Sequence, residues 1–374
     1  MLKFVAITIL SLCNGWTKSE TYSEISATAT ERSDLAFAEF AKHFPGISAT
    51  VFVGRDQVWS AQHGFADLAT ETLLSENTRI NIYSTSKALI GFAFARLVND
   101  GVISLDLSVE DLAPDLPEHF HPIRIRDLLS HTSGIRHYNS PQDWLAFAQL
   151  HCKNPAEAIG YFGSDALLHE PGLNTTYSTF AFVLASELLL RITGEEKFED
   201  ALNHTLGPWA NFKLDQIDAN KASMYIKAGR LPQSPPNTTP DDIVALPSIS
   251  AECKFGGGGL ISTSSELARA GAALCLGEII PMEKLSEGLQ PWSDVTSVIY
   301  GGAIGHHNTP SAAYHSYSLS GGAPGGRSYL LALIEPQISV AIAGNIEGPN
   351  MSDLAWKIGE SWLELQAQNT SSAE

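Results

Sequence analysis

Strand-like runs stand near both ends of this chain, and the residues between them are patterned for helix. ISATVFV (47–53) and QVWSAQHG (57–64) flank Gly54-Arg55-Asp56, and their alternation across so short a connection implies an antiparallel hairpin. YHSYSLS (314–320), SYLLALIE (328–335) and QISVAIAGN (337–345) read as strands again near the other end. From Tyr83 to about Leu276 the spacing is mostly helical, broken by loops at 114–122 and at the proline-rich 231–247. Helical patterns at 34–44, with Asp34 as a cap, and at 351–366 frame the whole. Strands so separated pair economically in one sheet, with the helical region inserted between them. The expected fold class is α+β: an antiparallel sheet built from both chain ends, with flanking helices and an inserted helical domain. The expected boundaries are 34–82 with 295–374 for the α/β subdomain and 83–294 for the mostly helical one.

The remaining segments and the bulk composition narrow the partners. The first residues, MLKFVAITILSLCNGW, carry one early cation and an apolar run too short to span a bilayer. Residues 1–15 are expected to be a signal peptide, residues 16–33 an acidic Ser/Thr-rich spacer, and the protein periplasmic or secreted, with no stable membrane span. A net charge of −18 argues against nucleic acid as a partner and for a small-molecule or peptide substrate. Of four cysteines, Cys13 would leave with the signal, and Cys152, Cys253 and Cys275 allow at most one pair. No cysteine or histidine spacing fits a zinc site. His119, His121, His306 and His307 read as loop or surface residues, and neither metal nor cofactor is expected.

The helical middle opens on NIYSTSKALIGF (81–92), where a lysine breaks two local rules. The helix it starts is apolar almost all round up to the Asn99-Asp100-Gly101 stop, which is the pattern of a buried helix. Lys87 thus falls in the first turn, where the macrodipole repels a cation and a capping box wants Glu or Gln. Ser84 lies three residues earlier, on the same helix face. Burial and the helix end both disfavour the ammonium form of Lys87, and a neighbouring neutral amine can take the proton of a serine nucleophile. A second polar insertion, Tyr177-Ser178-Thr179, precedes another all-round apolar helix that ends at Gly194. Ser178 or Thr179 serves there as a cap, and Tyr177 is placed to shuttle a proton at the helix mouth.

Two further stretches read as structural. His131 and Ser133 in LLSHTSG belong to a helix-ending loop held by hydroxyl–backbone bonds, and no G-x-S-x-G elbow occurs in the chain. The glycine run 256–259 lacks the lysine of a phosphate loop and is expected to allow close packing near the site.

The order and spacing of five stretches carry a resemblance: YSTSKALIGFAFARLVNDGVISLDLSVEDL, IRIRDLLSHTSGIRHY, PGLNTTYSTFAFVLASELLLRITG, GGGGLISTSSELARAGAAL and SGGAPGGRSYLLALIEPQISVAIAGN. The chain resembles the serine β-lactamase and penicillin-recognising hydrolase superfamily over roughly residues 35–365, nearest its class C and esterase-like branch. The HTSGIRHY and YSTF details are similar to the mitochondrial β-lactamase-like serine proteases. The resemblance implies hydrolysis of an ester or amide through an acyl-enzyme on Ser84. Lys87 and Tyr177 would handle protons, and the backbone N–H groups of Ser84 and Gly322 would form the oxyanion hole. Thr179, Ser320 and Gly321 would contact substrate.

Two positions depart from the superfamily pattern. Thr179 stands where an asparagine is usual, a change the mitochondrial branch shares. Leu319 stands where the third motif carries lysine or histidine, in Leu319-Ser320-Gly321. That cation would bind a substrate carboxylate, a contact worth roughly 1.5–3 kcal/mol. Arg327 or His315 is expected to replace the lost charge. The competing reading is a catalytically impaired member acting as a binding or scaffold protein.

Overall fold

A computed structural model of the chain describes residues 10–215, 218–231, 233, 235–246, 250–281, 284, 296–308 and 313–363. The first elements are α1 (Leu10–Ala41), β1 (Gly46–Val53), β2 (Asp56–Asp67), β3 (Thr72–Leu73) and β4 (Ile80–Asn81). A 3-10 turn at Tyr83–Thr85 then feeds α2 (Ser86–Asn99). Next come α3 (Val109–Leu112), α4 (Ile125–Leu129), α5 (Pro141–Ala148), α6 (Pro155–Ile159), α7 (Thr179–Thr193) and α8 (Phe198–Leu206). After them follow β5 (Lys213–Leu214), β6 (Tyr225–Lys227), β7 (Ile243–Ala245), β8 (Leu260–Ser262) and α9 (Ser264–Cys275). The last described elements are β9 (Val298–Ile299), β10 (Gly302–Asn308), β11 (Ala313–Ala323), β12 (Gly326–Leu333), β13 (Ile338–Gly344) and α10 (Ser352–Ser361).

The two ends of the chain meet in one eight-stranded sheet of order β3-β2-β1-β13-β12-β11-β10-β9, every pairing antiparallel. The join is β1 with β13, in register Ile47↔Gly344 through Val53↔Ile338. Every residue of β1 is buried, because this strand is covered on both faces. Ile47, Ala49 and Val51 share a core with Leu331, Leu333, Val340 and Ile342 under α1 and α10. The opposite face carries Phe52, Leu330, Ala332 and Ala341 against α9, where Thr50 and Ser264 hydroxyls meet at 2.8 Å. A single-residue slip of register would exchange these two faces.

The helical region packs beside that sheet around α2 and α7, whose buried faces explain their apolar sequences. Gly101 follows the end of α2 as expected, with φ +72° and its N–H on the Val98 carbonyl. Ser178 caps α7 by accepting from the Ala181 N–H at 3.0 Å, and Gly194 closes it in the left-handed conformation.

Three local readings change. Residues 17–33 are helical as part of α1, which runs from the first described residue through Ala41 instead of starting at Asp34. The stripe responsible is Ala29, Ser33, Phe37 and Ala41, at four-residue spacing and buried. Its polar member is satisfied within the fold: Ser33 donates to the Ala29 carbonyl and accepts from the Trp362 indole. Residues 1–9 of the expected signal peptide lie outside the described residues. His306 and His307, read as loop or surface residues, sit in strand β10 with His306 exposed and His307 half-buried, and β7 lies within the proline-rich stretch. Among the described residues no helix is long and apolar enough to cross a membrane, and no cluster of histidine, cysteine or carboxylate side chains fits a metal ion.

Candidate active site

Ser84 occupies the 3-10 turn before α2, and Lys87 the first turn of α2 itself. Lys87 is fully buried. Its amine donates to Ser84 Oγ at 3.2 Å, to Thr179 Oγ1 at 3.4 Å, and to the Gly257 carbonyl. Burial pushes the amine below the ordinary lysine range, while attraction to Tyr177 pulls the other way. The glycine run makes this possible. A Cβ on Gly257 would lie 2.6 Å from the Thr179 carbonyl, and one on Gly256 would lie 2.1 Å from Ile90. Residues 256–259 therefore pack closely against the elements around the site, as their composition suggested, and Gly257 brings its carbonyl to the Lys87 amine.

Tyr177 reaches Ser84 from the mouth of α7, with its hydroxyl 2.5 Å from Ser84 Oγ. Its ring passes 4.9 Å from the Lys87 amine. Two histidines fix that ring. His131 lies against it at 4.5 Å between centroids, and His137 meets it edge-on at 5.2 Å. Each histidine accepts a backbone N–H through Nδ1, from Ser178 and Thr179 respectively. Burial, reinforced by the nearby Lys87, pushes His131 down to about 3 and His137 down to about 4, so both are neutral at pH 7. His131 is thus structural, in a loop where Ser130 Oγ donates to the Arg126 carbonyl.

These groups open into a cavity of about 610 Å³ lined by Ser84, Tyr177, Thr179, Ser320, Gly322 and Arg327 among others. The alternation of β11 turns Ser320 and Gly322 toward the cavity and Leu319 and Gly321 away. Gly321 does not line the cavity. A Cβ there would stand 2.1 Å from the Ile82 carbonyl, so its bareness lets β11 approach the Ser84 turn. Leu319 packs against the helical core. Of the two candidate replacements for its charge, Arg327 lines the cavity. His315 does not, because its ring bonds Glu335 at 2.7 Å and His306 at 3.1 Å.

The structure also brings forward residues that sequence reasoning missed. Lys254, from the turn before the glycine run, lines the cavity with Trp144 and His137. The available signal was a cation set among small and apolar neighbours in AECKFGGGGLIS. Cys152 and Cys253 form a disulfide, which ties that turn to the segment after α5, and Cys275 is free and buried.

Known proteins share this frame. The human protein "Serine beta-lactamase-like protein LACTB, mitochondrial" is 25% identical over 320 residues, covering 66% of this chain and 56% of its own length. The chain thus spans little more than half of that relative. A penicillin binding protein from Bacillus halodurans superposes with a TM-score of 0.69 at 20% identity, over 89% of this chain and 98% of its own. A D-stereospecific amidohydrolase from Streptomyces sp. does so with a TM-score of 0.67 at 18% identity, over 88% and 98%. The family model described as Beta-lactamase matches residues 28–359, and with most of its length so covered the chain belongs to the Beta-lactamase family.

Proposed function

We propose that the protein is a serine hydrolase that cleaves an ester or amide through an acyl-enzyme on Ser84. The observation that carries this reading is the placement of Ser84 Oγ between the Tyr177 hydroxyl at 2.5 Å and the Lys87 amine at 3.2 Å, at the wall of an open cavity. A serine hydroxyl becomes a nucleophile when a neighbouring base takes its proton. In acylation, Ser84 Oγ bonds to the carbonyl carbon and its proton passes to the Tyr177–Lys87 pair. The tetrahedral oxyanion lies toward the backbone N–H groups of Ser84 and Gly322, two cavity-lining residues. The carbon–leaving-group bond then breaks and the departing atom receives the proton. In deacylation water attacks the ester, gives its proton to the same pair and restores Ser84. Thr179 and Ser320 present hydroxyls to the bound substrate.

The family supports hydrolysis in general, and the Streptomyces neighbour is by name an amidohydrolase. Leu319 in place of the third-motif cation favours the second reading, an impaired member that binds without turnover. A fluorophosphonate probe separates them. Stoichiometric labelling of the wild type, lost in Ser84→Ala, is expected; no labelling by phosphonyl or acyl probes would establish the binding protein. The compartment is part of the same proposal. The Cys152–Cys253 disulfide supports a periplasmic or secreted protein, since such bonds persist in oxidising surroundings.

A further inference from the structure

The cavity is cationic in a chain that is strongly acidic elsewhere. Its charged lining consists of Arg230, Lys254, Arg327 and Glu347. Arg230 and Glu347 pair at 2.9 Å. Lys254 and Arg327 have no ion-pair partner among the described residues. Arg327 Nε is buried without a hydrogen-bond partner. Lys254 is 4% exposed, with its amine 5.0 Å from the Trp144 ring and 5.7 Å from the Tyr83 ring. Asp215 is the carboxylate whose field reaches it, but that group is already held by Lys221 and by the Ala251 N–H. An amine buried this way, cradled by two rings and left without an anion, is poised for an anionic ligand.

We propose that Lys254 is a specificity residue which, with Arg327, binds a carboxylate carried by the substrate, replacing the cation absent at Leu319. The inference rests on the hydrolase reading above and deepens it: the preferred ester or amide is anionic near its scissile bond. Burial lowers Lys254 to about 8, with Asp215 opposing and Lys87 adding to the shift. Lys254 is accordingly charged at neutral pH and loses that charge above it. The other charged or titratable groups facing it are Lys87, Asp215, His137 and Tyr83, the last kept neutral by burial, with Arg327 and the Arg230–Glu347 pair sharing the cavity.

The test uses the whole protein and two pairs of thioesters. In one pair the carboxylate sits on the leaving thiol (N-benzoylglycyl thioglycolate and its methyl ester). In the other it sits on the acyl part (a glutaric monothioester and its methyl-capped form). The readout is the ratio of kcat/KM for the anionic member to that for the neutral one. Lys254→Met is expected to lower this ratio about 10- to 100-fold in one pair, the worth of one charge-assisted hydrogen bond. Lys254→Arg should restore most of it, and the wild-type ratio should fall as pH rises through 8. A ratio unchanged in Lys254→Met for both pairs overturns the inference while leaving the hydrolase reading intact. Should no thioester turn over, calorimetry with 3-carboxyphenylboronic acid and phenylboronic acid decides the matter. Preference for the carboxylated compound, lost in Lys254→Met, supports Lys254, and equal affinity overturns it. Failure of both to bind overturns the hydrolase reading, and this inference falls with it.

Discussion

Removing one oxygen from Tyr177 isolates the proton relay from the fold. In Tyr177→Phe the ring keeps its seat between His131 and His137, at 4.5 and 5.2 Å. The lost hydroxyl is the one 2.5 Å from Ser84 Oγ. Tyr177 is 40% exposed, so water can replace the bond and the stability cost should stay within about 1 kcal/mol. Catalysis should suffer far more. A positioned base contributes roughly 10²–10⁴-fold, which is about 3–5 kcal/mol of activation free energy. The assay is kcat/KM on a p-nitrophenyl ester beside a thermal melt, for wild type, Tyr177→Phe, Lys87→Met and the double variant. Because both groups serve one proton, the double variant should be little worse than the poorer single one. Turnover of Tyr177→Phe within about threefold of wild type, or fully additive losses in the double variant, would refute the shared relay.

Two further outcomes follow from the groups around the site. The Cys152–Cys253 bond spans a sequence separation of 101, so Cys152→Ser with Cys253→Ser should cost about 2–5 kcal/mol in denaturant unfolding. His131 is held down to about 3, so below its ordinary value of 6.5 the unfolded chain takes up a proton that the folded chain refuses, and stability falls with pH. Between pH 7.5 and 5 this amounts to about 2 kcal/mol, read as the change in the unfolding free-energy difference between wild type and His131→Phe.

Much of this arrangement is legible in the sequence. Lys87 announces itself because a cation at the start of an all-apolar helix violates capping and burial rules together. The sheet joining both chain ends follows from strand runs with clear alternation. Tyr177 is ambiguous on its own spacing and gains its role from the resemblance. What stays hidden is hidden for identifiable reasons. Strand β10 contains two glycines and two histidines, a composition of low strand propensity, and pairing with β11 overrides it. Helix α1 is obscured by serines and threonines, one of which, Ser33, is buried by packing against Trp362. Lys254 gives a faint signal, since no local rule forbids a lysine before a glycine run. Its isolation from anions depends on Asp215 being occupied by Lys221, a tertiary fact. The choice of Cys253 over Cys275 as partner of Cys152 is equally beyond the sequence.

The proposed chemistry depends on the basicity of one amine, and that can be measured directly. In protein with isotopically labelled lysine side chains, the Lys87 signal, assigned by its loss in Lys87→Met, should titrate below the ordinary value of about 10.4. A Lys87 amine that titrates at or above that value would contradict the proton transfer from Ser84.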